Sequence, residues 1–178
     1  MKIRICADST ADLSPQLIEK YSIPTMPLHV SLGEDDFLDG VTIEPQNIYD
    51  YYATTKKLPK TGARSAEEYT EFFQKVLDEG YDAIVHFTIS ADMSASYNNA
   101  ELASHNFKEV YVVDSRQLST GIGLLVLDAC DMVAAGLSAK EIADRAVSRS
   151  VDTKSSFIVD TLEFARLFES FQIDIFIP

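Results

Sequence analysis

The stretch AIVHFTISADMSASYNNA, residues 83–100, decides how the rest of this chain is interpreted. Ala83–Ile89 is a short apolar run rich in β-branched and aromatic residues, typical of a strand that is covered on both faces of a parallel sheet. Three serines follow, Ser90, Ser94 and Ser96, before a helical pattern begins. Hydroxyl groups and backbone N–H groups at such a strand-to-helix junction can form an anion-binding site.

The remaining segments predict an α/β fold, with a mostly parallel sheet flanked by helices. Further strands are expected at Lys2–Ala7, Thr25–Leu32, Glu109–Val113 and Ser155–Val159, and Phe37–Gly40 is expected either to continue extended or to return as a hairpin. Residues 58–65 are expected to form a loop. Helical periodicity and capping residues indicate helices at Pro15–Tyr21, Glu44–Tyr52, Ala66–Glu79, Ser94–Ser104, Ile122–Ala135, Ala139–Ser150 and Thr161–Phe168.

An acid and a hydroxyl follow two of the predicted strands in the same order. Asp8 and Ser9 come after the first strand, and Asp114 and Ser115 come after the strand at residues 109–113. Because parallel strands end at one edge of the sheet, these pairs are expected to lie along the same edge as the loop that begins at Ser90. The alternative is that the serines only cap helices and stabilise turns.

Composition limits the classes of function. The 178 residues carry a formal net charge of −13 and no basic stripe, which disfavours nucleic-acid binding. No apolar run approaches the roughly 20 residues that a membrane helix needs, so no stable membrane insertion is expected. The N-terminus enters a strand pattern without a signal-peptide core, which predicts a cytoplasmic protein.

Several catalytic chemistries lack their sequence signals. There is no Gly-x-Ser-x-Gly elbow, and none of the three histidines adjoins a candidate serine. Metal-ligand spacing is missing, and Gly121-Ile122-Gly123 lacks the preceding strand and third glycine of a dinucleotide loop, so no metal and no cofactor is expected. Noncovalent capture of a carboxylate by the hydroxyls of Thr61 and Ser94 remains.

Ordered sequence blocks then resemble the DegV family of bacterial fatty-acid-binding proteins. Each block is weak alone, but their order and spacing are specific. The blocks are Asp8-Ser9-Thr10-Ala11-Asp12-Leu13, Pro27-Leu28 with Phe37-Leu38-Asp39-Gly40, Pro59-Lys60-Thr61 with Ser65, Ile89-Ser90 with Ser94-Ala95-Ser96-Tyr97, Val113-Asp114-Ser115, and Gly121-Ile122-Gly123-Leu124-Leu125-Val126.

The resemblance implies a noncatalytic protein that binds a long-chain fatty acid. In such proteins a threonine and a serine hold the carboxylate, and their positions fall on Thr61 and Ser94. Some members present the acid to a partner kinase, which phosphorylates the carboxylate. The other residues expected to shape the site are Ser9, Ser65, Ser90, Ser96, Asp114 and Ser115.

The chain also departs from the family pattern. The usual Ser-Gly-Thr is Ser94-Ala95-Ser96 here, and Arg64 stands in the loop after Thr61, where it would either add a cation near the head group or face solvent. Residues 1–164 are expected to form the DegV-like domain and residues 165–178 a divergent or truncated tail, without the family's second domain. An apolar face left bare would favour a homo-oligomer.

Two other hypotheses stay open from the sequence. One is a small-molecule enzyme that uses the Asp-Ser strand ends with a metal or a phosphate substrate. The other is a truncated chain that binds no ligand and oligomerises through an exposed face.

Overall fold

The computed structural model describes residues 1–156, which contain seven strands, six α-helices and a short 3-10 turn at Ser9–Ala11. The strands are β1 (Ile3–Asp8), β2 (Thr25–Met26), β3 (His29–Leu32), β4 (Asp35–Leu38), β5 (Lys60–Gly62), β6 (Ala83–Thr88) and β7 (Val110–Asp114). The helices are α1 (Pro15–Tyr21), α2 (Pro45–Thr55), α3 (Ala66–Asp78), α4 (Ser96–Ser104), α5 (Thr120–Ala134) and α6 (Ala139–Asp152).

The main sheet is parallel, with the strand order β2-β1-β6-β7. All six residues of β6 are buried, because the strand is central in the sheet and helices cover both of its faces. Val85 and Phe87 face the core formed with α5 and α6, whereas Ile84 faces the core formed with α3 and α4. The predicted α/β class is therefore confirmed, as is the buried strand in the opening stretch.

A second, antiparallel sheet has the strand order β4-β3-β5. The expectation of one strand over Thr25–Leu32 is wrong, because Pro27 and Leu28 lie outside both β2 and β3, and the chain passes there from the parallel sheet into the antiparallel one. Residues 58–65 are likewise not only a loop, since β5 lies within them and pairs with β3. Of the two alternatives for Phe37–Gly40, the hairpin return is the one observed: β4 pairs antiparallel with β3, although it begins at Asp35 and ends at Leu38.

Local capping signals explain several helix starts. The hydroxyls of Ser14, Ser65 and Ser138 accept hydrogen bonds from the N–H groups of Leu17, Glu68 and Glu141, as predicted for N-cap serines. One start was predicted too early, because α4 begins at Ser96 rather than at Ser94. Gly123 lets α5 lie close to the 3-10 turn, since a Cβ atom there would be 3.0 Å from the Ala11 carbonyl oxygen.

Some predicted segments cannot be compared with the structure. Ser155 and Ser156 are irregular, while the rest of the predicted last strand, the helix at Thr161–Phe168 and the tail at residues 165–178 lie outside the described residues. Among residues 1–156, no helix has both the length and the hydropathy needed to cross a membrane.

Candidate functional site

Strands β1, β6 and β7 end at the same edge of the parallel sheet, with β6 between the other two. The Ile89 N–H donates to Oδ2 of Asp8 over 3.2 Å, and the Ala91 N–H donates to Oδ1 of Asp114 over 3.1 Å. The two aspartates at the ends of the flanking strands thus hold the loop that leaves β6. The predicted meeting of these strand ends is confirmed in the fold.

The three serines of this loop have different contacts. The buried Ser90 hydroxyl accepts from the Asp92 N–H over 3.3 Å, which is a turn-stabilising role. The hydroxyl oxygens of Ser94 and Ser96 are 2.9 Å apart, and the Ser96 N–H donates to Ser94 Oγ over 3.2 Å. Ser96 is fully buried, whereas Ser94 is partly exposed. Ser94 is therefore the member of the hydroxyl pair that a ligand can reach.

A buried polar cluster lies directly behind this loop. Asp8 and His86 are fully buried, and Oδ1 of Asp8 accepts from the Tyr69 hydroxyl over 2.7 Å and lies 3.1 Å from His86 Nε2. His86 Nδ1 is buried and has no hydrogen-bond partner within residues 1–156. We therefore assign a ring hydrogen to Nε2, which faces the Asp8 carboxylate.

Aromatic rings hold His86 in place. The rings of Tyr69, Phe72 and Phe73 meet the imidazole edge-on, with centroids 5.5, 5.7 and 5.3 Å from it. Such contacts fix the ring orientation, so the nitrogen that faces Asp8 cannot turn away.

Burial and the neighbouring Asp8 raise the pKa of the Tyr69 hydroxyl far above its usual range. A hydrogen bond from Ser96 acts in the opposite direction on that pKa, as does the charge of Arg64, but both effects are smaller. The phenol therefore keeps its hydrogen and donates it to Asp8.

Sequence reasoning did not place Tyr69 or His86 in the site. Tyr69 lies on the buried face of α3 and His86 lies within the buried strand β6, and a sequence pattern assigns both kinds of position to the core. A histidine in a buried strand and an aspartate at the end of another strand could have suggested a buried pair. The sequence does not show, however, that β1 and β6 are neighbours, and only the strand order brings Asp8 and His86 together.

Other predicted site residues stabilise backbone near the same edge. The Ser9 hydroxyl accepts from the Leu28 N–H over 3.2 Å, where the chain passes between the two sheets. The buried Ser115 accepts from the Gln117 N–H over 3.1 Å, and Asp114 accepts from the Arg116 N–H over 2.9 Å. Ser65 caps α3. In these contacts the side chains stabilise turns and a helix cap, which agrees with the alternative interpretation of the serines given in the sequence analysis.

Thr61 lies in the middle of β5, paired with Val30, and it is exposed. Its segment is joined to the Ser94 side of the molecule by a 2.7 Å hydrogen bond from Asn99 Nδ2 on α4 to the Arg64 carbonyl oxygen. No hydrogen bond links Thr61 to Ser94 among the contacts of residues 1–156. Their shared role remains a prediction.

Arg64 does not face solvent freely. Its guanidinium lies 2.8 Å from Oε1 of Glu68 and 3.2 Å from Nε2 of His29, while Nδ1 of His29 lies 2.6 Å from Asp36. Partial burial alone would raise the pKa of Glu68, but hydrogen bonds from Ser65 and the charge of Arg64 outweigh that effect and lower it. The positive charge of Arg64 is thus already paired.

The described residues offer little for a metal. No group of three or more His, Cys, Asp or Glu side chains within residues 1–156 is arranged to hold a metal ion. The arrangement at the sheet edge instead presents a hydroxyl pair, a loop held by two carboxylates and a buried phenol behind them. These groups suit hydrogen bonding to the polar head of a small ligand.

Comparison with known proteins agrees with the sequence blocks. A family model described as "Uncharacterised protein, DegV family" matches residues 2–166. A DegV domain-containing protein of Clostridium perfringens is 32% identical over 164 residues, covering 91% of this chain and 58% of the relative. A fatty acid-binding protein of Thermotoga maritima is 33% identical over 170 residues, covering 92% of this chain and 59% of the relative.

A solved structure of a DegV family protein from Thermus thermophilus, described by its fatty acid binding, superposes with a TM-score of 0.81. It is 28% identical, and the match covers 98% of this chain and 65% of the other. The chain thus spans about three fifths of the length of the curated relatives named above. With the family model matching residues 2–166, the chain belongs to the DegV family.

Proposed function

We propose that this chain binds a long-chain fatty acid whose carboxyl group contacts the hydroxyls of Thr61 and Ser94 at the carboxyl edge of the parallel sheet. The remaining residues hold the surrounding backbone and shape the site: Ser9, Ser65, Ser90, Ser96, Asp114 and Ser115. The chain carries out no catalysis itself.

The position of Ser94 is the observation that carries the proposal. Its hydroxyl lies on a loop whose backbone is fixed at one end by Asp8 and near its middle by Asp114. A loop that is already ordered loses little conformational entropy when a ligand binds, so one hydroxyl there contributes more to affinity than one on a free loop.

Relatives support the same ligand class. The Thermotoga maritima relative is named a fatty acid-binding protein, and the Thermus thermophilus structure is described by its fatty acid binding. Both are longer than this chain, which matches 59% and 65% of their lengths. Fatty-acid binding by this chain is therefore a proposal that the relatives support.

We further propose that the chain acts in the cytoplasm as a carrier subunit and presents the bound acid to a fatty-acid kinase. The kinase chemistry would belong to the partner. Self-association into a homo-oligomer is a separate expectation, and light scattering on the purified chain tests it.

Bound lipid is the first test of ligand binding. Purified protein is extracted with organic solvent and the extract is analysed by mass spectrometry, while a second sample is unfolded thermally with and without palmitate or oleate. We expect an acyl acid in the extract and a higher melting temperature with added acid, since a ligand that binds only the folded state stabilises it. An empty extract together with an unchanged melting temperature would contradict the proposal.

Variants locate the head group. Ser94→Ala and Thr61→Ala are each expected to weaken palmitate binding roughly 3- to 10-fold, the usual loss for one hydrogen bond. Ser148→Ala is the matched control, because Ser148 is an exposed serine on α6 whose hydroxyl donates to the Asp144 carbonyl oxygen of its own helix. Equal affinity in all three variants would remove Thr61 and Ser94 from the site.

A further inference from the structure

Gln117, in the loop after β7, uses all of its hydrogen-bonding groups to join two parts of the chain. Its side chain reaches the residues at the end of α6. Nε2 donates to the carbonyl oxygens of Thr153 over 2.9 Å and of Ser150 over 3.4 Å, and Oε1 accepts from the Ser155 hydroxyl over 3.0 Å. The backbone N–H donates to Ser115 Oγ over 3.1 Å. The fourth group, the backbone carbonyl oxygen, reaches the candidate site.

That carbonyl oxygen holds the start of the loop that carries Ser94. It accepts from the Ser90 N–H over 3.1 Å. The next N–H along the loop, that of Ala91, donates to Asp114 over 3.1 Å. The loop after β6 is therefore attached to the segment that follows β7 by two successive hydrogen bonds, and one of them depends on the position of Gln117.

The backbone around Gln117 is in an unfavourable conformation. Arg116 and Ser119 both have a φ angle of 55°, in the left-handed region that residues other than glycine rarely adopt. Such a conformation costs free energy and persists only where the surrounding contacts hold it. Arg116 is exposed, and Gln117 lies between the two positions. The contacts of Gln117 are therefore well placed to hold this loop.

Gly121 allows the close packing on which these contacts depend. It lies in the first turn of α5, and a Cβ atom there would overlap with the Ser155 hydroxyl oxygen and lie 3.0 Å from the Gln117 Cβ atom. An alanine at this position would displace Ser155 or the Gln117 side chain, although it removes no hydrogen-bonding group.

We propose that Gln117 is a positioning residue of the acid-binding site, and that it couples the loop carrying Ser94 to the segment that follows α6. A ligand at Ser94 and the hydrogen-bonded arrangement of residues 153–155 then stabilise each other, since coupling between two sites is reciprocal. The inference rests on the proposed function, because it needs an acyl head group at Ser94. A loaded chain then differs from an empty one at the end of α6 as well as at the site.

The coupling requires a second state of the loop after β7. Without the side-chain contacts of Gln117, Arg116 and Ser119 leave the left-handed region, and the carbonyl oxygen that holds Ser90 moves with them. A ligand that needs the held loop binds only the fraction of molecules in which the loop is held, so its apparent affinity is lower.

Hydrogen exchange read by mass spectrometry tests this link in the wild-type chain. Exchange is measured with and without palmitate at short labelling times, when local opening dominates. The two regions compared are residues 88–98, around the site, and residues 150–156, at the end of α6. We expect palmitate to slow exchange in both, although the second region contains no residue that is proposed to contact the ligand.

The variant Gln117→Ala removes all three side-chain contacts. Palmitate should bind about fivefold or more weakly to it in calorimetric titrations. Bound palmitate should still slow exchange at residues 88–98 but no longer at residues 150–156. A purely structural role of Gln117 would lower the melting temperature but leave the palmitate affinity and the exchange response unchanged.

Gln74→Ala is the matched control. Gln74 is an exposed glutamine on α3 whose side chain donates to Asp78 of the same helix. This variant should keep the wild-type affinity for palmitate and the wild-type exchange response in both regions.

Two further variants act on the same link in opposite directions. Gly121→Ala should weaken palmitate binding and remove the response at residues 150–156, as Gln117→Ala does. Adding Arg116→Gly to Gln117→Ala should strengthen palmitate binding about two- to fivefold over Gln117→Ala alone, because glycine adopts a positive φ angle without strain.

The outcomes are distinct. If palmitate binds the wild-type chain but leaves exchange at residues 150–156 unchanged, or if the full response persists in both Gln117→Ala and Gly121→Ala, the inference is overturned and the proposed function stands. If palmitate does not bind the wild-type chain, the proposed function fails, and the inference fails with it. Should Gln117→Ala not fold, Gly121→Ala and the wild-type exchange measurement give the decision.

Discussion

The Tyr69 hydroxyl donates a 2.7 Å hydrogen bond to the Asp8 carboxylate, although the two residues are 61 positions apart in the chain. Tyr69 lies on α3 and Asp8 at the end of β1, so the bond ties a helix to the sheet in the buried interior. His86 and the Ile89 N–H complete the set of donors to the same carboxylate. Asp8 is thus the common acceptor for three separate segments.

Replacing Asp8 should therefore be costly. Asp8→Asn puts an NH₂ group against groups that donate, and we expect a loss of about 2–4 kcal/mol in the free energy of unfolding, measured in urea. Asp92→Asn changes an exposed aspartate of the neighbouring loop and should cost less than about 0.5 kcal/mol. Similar unfolding midpoints for the two variants would mean that the three donors do not depend on Asp8.

Acid should destabilise the fold through exposed and half-buried carboxyl groups. Hydrogen bonds from Ser31 and His29 lower the pKa of Asp36, and those from Ser65 lower that of Glu68 against its partial burial. A carboxyl with a lowered pKa stabilises the folded state above its unfolded value, about 4 to 4.3, and this contribution is lost as the pH falls through the lower folded value.

The variant Glu68→Gln tests whether the lowered pKa of Glu68 makes the folded state less stable in acid. The decrease in melting temperature between about pH 7 and about pH 3 should be smaller in this variant than in the wild-type chain, because one of the groups responsible is missing. Glu67→Gln alters the exposed neighbour on the same helix and should keep the wild-type decrease. A variant that loses stability in acid as steeply as the wild type would show that Glu68 does not contribute.

The capping role of Ser65 can be measured apart from ligand binding. Its hydroxyl accepts from the Glu68 N–H over 3.2 Å, and the Glu68 side chain accepts from the Ser65 N–H over 2.8 Å. Ser65→Ala should reduce the free energy of unfolding by about 1 kcal/mol, whereas Ser148→Ala on the exposed face of α6 should change it by less than about 0.5 kcal/mol. Equal values would rule out the cap as a source of stability.

Substitutions on the two faces of α5 should differ sharply in their effect on the free energy of unfolding. Ile122 is 0% exposed and packs in the core beside β1, whereas Leu124 is 62% exposed on the same helix. Ile122→Ala should cost about 2–5 kcal/mol of unfolding free energy, because it leaves a cavity that the sheet cannot fill. Leu124→Ala should cost less than about 1 kcal/mol, and a larger loss there would indicate that this face is covered in solution.

Local signals explain what the sequence could predict of the fold. Ser14, Ser65 and Ser138 mark helix starts through contacts within three residues, and the buried run of β6 is readable from its composition. The break between β2 and β3 was missed, because hydrophobic pattern alone does not show that a strand changes sheets at Pro27. The three-residue β5 was too short to give a pattern.

Some residues of the candidate site could also be placed from the sequence, whereas others could not. Asp8, Ser94 and Asp114 could be placed at one edge, since strand ends in a parallel sheet share it. Tyr69 and His86 could not, because their contact with Asp8 depends on packing between α3, β1 and β6. An apolar stripe on a helix does not reveal which of its aromatic residues uses its hydroxyl.

The central claim is that an acyl acid binds with its head group at Ser94. Nuclear magnetic resonance of palmitic acid labelled with ¹³C at the carboxyl carbon observes that head group directly when the chain is added in excess. We predict a bound carboxyl resonance that is distinct from the free one and that changes position in Ser94→Ala but not in Ser148→Ala. A spectrum that shows only the free acid, or a bound resonance identical in both variants, would contradict the account.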